Sequence, residues 1–65
     1  MNKTYTYQLN NTDEIFSSRI KAHKRLCNVL HKNENDFLPI KENFISGKIN
    51  IIYPDGYVIT KRLLQ

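Results

Sequence analysis

The alternation of apolar and polar side chains changes period several times along the chain, and each change marks an element. Thr4-Tyr5-Thr6-Tyr7-Gln8-Leu9 alternates strictly, with Tyr5, Tyr7 and Leu9 on one side. That is the period of a half-buried β-strand. Asn10-Asn11 ends it. Asn11 followed by Glu14 has the form of a capping box, and Thr12 is an equally good N-cap. From there the period becomes helical. At about 100° per residue, Ile15, Phe16, Ile20, Ala22, Leu26, Cys27, Val29 and Leu30 fill one half of the circumference. Ser17, Lys21, Lys24, Arg25, Asn28 and Lys32 fill the other half. The pattern predicts an amphipathic helix of roughly five turns, reaching Lys32.

Lys32-Asn33-Glu34-Asn35-Asp36 is a polar stop. Residues 37–47 admit two readings. Pro39 can open a short helix that closes at Gly47, with Ile40 and Phe44 one turn apart. The same residues can form an extended loop with a brief strand near Phe44-Ile45. The short helix is the favoured expectation. After it, Lys48-Ile49-Asn50-Ile51-Ile52-Tyr53 and Tyr57-Val58-Ile59-Thr60-Lys61-Arg62 flank Pro54-Asp55-Gly56. Pro suits the first corner of a type I turn and Gly the left-handed position after it, so a hairpin is expected. A three-residue loop sets Tyr53 opposite Tyr57, Ile52 opposite Val58 and Ile51 opposite Ile59. Ile49, Ile51, Tyr53, Tyr57, Ile59 and Leu63 then make a core face. Ile52, Val58 and Leu64 lie on the reverse, beside Asn50, Thr60 and Arg62.

These elements assemble most simply as an α+β layer pair in one domain, residues 1–65. A three-stranded antiparallel sheet, built from the N-terminal strand and the C-terminal hairpin, packs on the long helix. The order resembles that of Cro-type phage repressors, in which a first strand and a terminal hairpin bracket the helices. The long helix runs through the place where a tight Gly-containing turn would fall, so no helix-turn-helix is expected.

Composition narrows the function classes. Sixty-five residues leave room for one modest core. A single cysteine excludes an intramolecular disulfide and fits a reducing compartment. The opening residues carry no apolar signal segment, and no apolar run approaches the ~20 residues of a membrane helix. A cytoplasmic setting without membrane contact is expected, and mean hydropathy is −0.55.

His23, Cys27 and His31 recur every four residues. Helix rise is ~1.5 Å per residue, so the outer two stand about 12 Å apart and cannot share an ion. An adjacent pair lacks further His or Cys partners, so no metal site is expected, nor any cofactor. A Cys–His nucleophile pair on one stripe has no oxyanion donors, and no catalytic residue is assigned. The stripe reads instead as the edge of the core.

Charge points elsewhere. The net charge is +4, and no acid occurs from Ile15 to Asn33, while Arg19, Lys21, Lys24, Arg25 and Lys32 do. Lys21, Lys24, Arg25, Asn28 and Lys32, with Lys61 and Arg62 from the hairpin, make a candidate phosphate-contacting set. A solvated face also accounts for the pattern, with Asp13 and Glu14 at the helix start and cations beyond them matching the helix dipole. Tyr5, Tyr7, Tyr53 and Tyr57 can stack bases on a sheet, though their shared faces with Ile and Leu favour core packing. The reverse sheet face offers a protein interface, or a homodimer contact, at Ile52, Val58 and Leu64 with Tyr53 and Tyr57 nearby.

Two functions are therefore expected as alternatives. One is a non-enzymatic, phage- or mobile-element-type protein that binds nucleic acid or a nucleoprotein through the helix face. The other is a stoichiometric inhibitor or adaptor, such as a counter-defence protein, that binds a protein target through the sheet. A small ribonuclease toxin is a remote third.

Overall fold

The computed structural model describes residues 4–63, so the expected interface residue Leu64 lies outside the described residues. The architecture is α+β, with one helix and one antiparallel sheet. The sheet has five strands, not the expected three: β1 (Tyr5–Leu9), β2 (Ile15–Phe16), β3 (Lys41–Ile45), β4 (Lys48–Ile52) and β5 (Val58–Leu63). Their spatial order is β2-β1-β5-β4-β3, which puts β5 in the middle and leaves β2 and β3 as edges. The helix α1 spans Arg19–Leu30.

Both additional strands come from segments whose apolar spacing also suits a helix. Ile15 and Phe16 continue the apolar arc of α1 by coincidence of phase, yet they pair with Gln8 and Tyr7. The chain reverses over residues 10–14, where Asp13 takes φ 63°. There Asp13 N donates to Leu9 O at 2.8 Å and Leu9 N to Glu14 O at 2.9 Å. Thr12 does not cap the helix; its hydroxyl accepts from Glu14 N at 3.3 Å inside this turn. The cap is Ser18, whose extended backbone (φ −134°, ψ 134°) lets its hydroxyl accept from Lys21 N. At the other end α1 stops at Leu30, because His31 turns left-handed (φ 57°). His31 N then donates to Asn28 O and Lys32 N to Cys27 O, which is a Schellman closure.

The favoured short helix over 39–47 does not form. Lys41–Ile45 is a full strand, pairing Phe44 with Ile49 and Glu42 with Ile51. Ser46 (φ 52°) and Gly47 (φ 78°) make the turn into β4. Two consecutive positive φ values define a type I′ turn, whose twist matches that of the flanking strands. The second hairpin keeps the expected register, with Ile51 opposite Ile59 and Ile52 opposite Val58. Tyr53 N donates to Tyr57 O at 2.8 Å. Its turn differs in one respect: Asp55 (φ 66°) as well as Gly56 (φ 84°) is left-handed, so Pro54 does not open a type I turn.

Alternation fixes which side chains face α1. Leu9, Ile51, Tyr53 and Ile59 point to the helix and are buried with Ala22, Leu26, Cys27 and Phe37. Tyr7, Phe16, Leu30, Ile49 and Tyr57 pack around them. The helix does not cover the whole of this face. Beyond it, toward the start of β1 and the end of β5, Phe44 stands 74% exposed and Leu63 47%. The expected place of Leu63 in the core is thus not taken up. Among the described residues no helix is long and apolar enough to cross a membrane.

Candidate functional site

His23 and Cys27 do meet, with Sγ 3.7 Å from Nε2, but both ring nitrogens are already committed. Nδ1 lies 2.7 Å from the Tyr53 hydroxyl and Nε2 lies 2.8 Å from the carbonyl oxygen of Glu34. A carbonyl only accepts, so Nε2 carries a proton, and in that tautomer Nδ1 accepts from the Tyr53 O–H. The ring also stacks on Tyr53 at 5.6 Å, and Phe37 stacks on the Tyr53 ring at 5.5 Å. His23 is thus a strut tying α1 to the start of the 31–40 segment and to the end of β4. Burial pushes the Cys27 thiol up, and the charge of Glu34 adds to it, so the nucleophilic thiolate is disfavoured. His31 has left the stripe to close the helix. No group of three or more His, Cys, Asp or Glu able to hold a metal occurs among the described residues.

The cations expected to act together are dispersed. Lys21, Lys24, Arg25 and Asn28 do share the exposed side of α1. Arg25, however, donates to Glu14 at 2.8 Å, and this contact holds the Glu14 carboxyl below its ordinary value. Arg19 is bound to Glu42 at 2.9 Å. Lys32 lies past the left-handed cap, its ammonium 5.8 Å from the Phe37 ring. Because the helix begins at Arg19, Asp13 and Glu14 are not in its first turn, which holds no acid, and its last turn holds no cation. Dipole matching therefore does not account for the basic face. Lys61 and Arg62, neighbours in β5, point to opposite faces of the sheet.

Register reveals a set that sequence reasoning did not assemble. On the face away from α1, Thr6, Arg62, Lys48 and Ile45 form one row across the sheet. Gln8, Thr60, Asn50 and Asn43 form the next, and Val58, Ile52 and Lys41 the third. None of these side chains is acidic. Thr60 is buried in the middle row, its single hydroxyl proton directed to Asn50 Oδ1 at 3.1 Å and Asn10 Oδ1 at 3.4 Å. Lys48 stands directly opposite Arg62, a like-charge pair of the kind that destabilises a sheet.

The expected protein-interface residues divide in the same way. Ile52 and Val58 are half-buried partners on this open face. Tyr53 is core, 1% exposed, and cannot present its ring to a partner. Tyr57 packs edge-on to Phe37. At the end of the sheet that α1 leaves bare, Tyr5, Phe44, Gly47, Ile49, Lys61 and Leu63 line a groove of about 290 Å³. There the Lys61 ammonium sits 4.4 Å from the centre of the Tyr5 ring. The signals were two turns: Ser46-Gly47 as a two-residue hairpin turn creates β3 and places Phe44, and the register across Pro54-Asp55-Gly56 sets Lys48 opposite Arg62.

Compared with known families, with curated proteins and with solved structures, the chain matches none of them.

Proposed function

We propose that this is a small nucleic-acid-binding protein that meets phosphates with the open face and bare end of its sheet. The observation that carries this reading is the cross-strand pair Lys48–Arg62 on a face that, among the described residues, carries no carboxylate. Two cations held opposite one another weaken a small domain unless an anion lies between them. Lys61 flanks the same end on the other face, and Lys41 extends the positive surface toward the third row. The side-chain amides of Gln8, Asn43 and Asn50 between the basic rows supply neutral donors of the kind that contact sugars and phosphates. The exposed helix cations Lys21 and Lys24 lie on the opposite side of the molecule and add only long-range attraction.

Three phosphate contacts give a slope of log K against log salt of about −2 on a single strand. In a salt titration of oligonucleotide binding, Lys48→Glu with Arg62→Glu should flatten that slope and weaken binding strongly. Lys21→Glu with Lys24→Glu should change it little. The opposite ranking would move the site back to the helix.

A second reading has its own observation. Every residue of the edge strand β3 is exposed, and Ile45 is 55% so. A long open edge with apolar side chains is a template for a strand from another protein. On that reading the partner is a protein target bound stoichiometrically, and the complex survives high salt and nuclease treatment.

A further inference from the structure

We infer that the groove at the bare end of the sheet is a base-stacking subsite, so that the preferred ligand is single-stranded nucleic acid. This deepens the proposal above and rests on it. The groove has three properties that together select such an occupant. Its walls are aromatic and apolar, from Tyr5, Phe44, Ile49 and Leu63, and the Phe44 ring is open to solvent over most of its surface. Its volume of about 290 Å³ stands at the lower end of the ~300–1,000 Å³ of small-molecule pockets and has room for one planar ring in an open cleft. Among the described residues its single charged wall is a cation, Lys61, and no acid lines it.

An apolar ligand would leave that ammonium with no anion to meet, whereas a nucleotide supplies a π-face for Phe44 and a phosphate for Lys61. Lys61 already rests on the faces of Tyr5 and Tyr7, at 4.4 and 5.8 Å, so it is held at the mouth by cation–π attraction. Within β5 the next residue, Arg62, points to the open face, where Lys48 faces it. A strand whose base enters the groove therefore finds cations on both sides of the sheet's end. A duplex keeps its bases stacked inside and gains only the phosphate contacts.

The test is fluorescence anisotropy with a labelled unpaired thymidine 12-mer and a duplex of equal length, at one fixed salt concentration. The intact chain should bind the single strand more tightly. Phe44→Ala should lose about tenfold in affinity for the single strand while keeping its duplex affinity and its salt slope, since no cation is removed. Phe44→Tyr should restore the loss. An unchanged single-strand affinity in Phe44→Ala, or a preference for duplex, overturns the stacking subsite but leaves the phosphate contacts standing. Binding of neither probe overturns both proposals. If Phe44→Ala instead abolishes a dimer seen by light scattering, the ring serves a protein interface and the inference is wrong. Phe44 is too exposed for its truncation to unfold the domain, and thermal melting of the variant checks this.

Discussion

At the scale of single residues, the account depends on groups whose positions give them one job each. The Tyr53 hydroxyl donates to His23 in the core, and burial pushes its pKa up to about 12. In the unfolded chain a tyrosine titrates near 10. The folded state therefore holds this proton more tightly, so the contribution is fully present below about pH 10 and is lost as pH rises through 12. Urea unfolding followed from pH 9 to pH 12 should show falling stability, and Tyr53→Phe should remove most of that dependence. At neutral pH the same substitution strands His23 Nδ1 and should cost about 1 kcal/mol. His31 is the converse case: its left-handed backbone is strained for a residue with a Cβ. His31→Gly should stabilise by about 1 kcal/mol, a rise of several degrees in melting temperature. The regular spacing of His23, Cys27 and His31 was visible in the sequence. Nothing in it distinguished a strut, a packed thiol and a helix cap, because those roles come from Tyr53, Phe37 and a change in backbone sign.

At the scale of elements, the sequence was legible where period and turn chemistry agreed. The first strand, the buried positions Ala22, Leu26 and Cys27 of α1 and the register across Pro54-Asp55-Gly56 followed from period and loop length, while Ile20 of the expected apolar arc stands exposed. It was illegible where a short apolar run suits two periods. Ile15-Phe16 and the pair Ile40 and Phe44 fit a helix as well as a strand, and Pro39 resembles a helix start. The local arbiters were Ser18 as a cap and Ser46-Gly47 as a type I′ turn. The second can be tested, because a Cβ at Gly47 would meet nothing within 4 Å. Any cost of Gly47→Ala is then backbone strain and not a clash. It should be about 1 kcal/mol in chemical denaturation, and Gly47→Asn should cost less, since Asn tolerates the left-handed region. An equal cost for both would mean that the turn is not held as described.

At the scale of the whole molecule, the sequence supplied the sum of charges but not their map. The acid-free run from Ile15 to Asn33 with its clustered cations suggested a basic helix. Folding instead commits Arg19 and Arg25 to Glu42 and Glu14 and gathers Lys48, Lys61 and Arg62 at one end of the sheet. The Lys48–Arg62 pair follows from the same register that sets Ile51 opposite Ile59, whereas the pairing of β1 with β5, which brings Tyr5 beside Lys61, joins strands distant in the chain and no local pattern carries it. The candidate site is accordingly less legible than the fold: of the seven basic and amide positions singled out, Lys61 and Arg62 fall within it, and Lys48 was missed. The most direct test of the central claim is a map of backbone amide shifts during titration with a single-stranded oligonucleotide. The account expects the largest changes at Tyr5, Thr6, Phe44, Lys48, Lys61 and Arg62, with Lys21, Lys24 and Asn28 nearly still. Changes concentrated on α1, or no changes at stoichiometric excess, would contradict it.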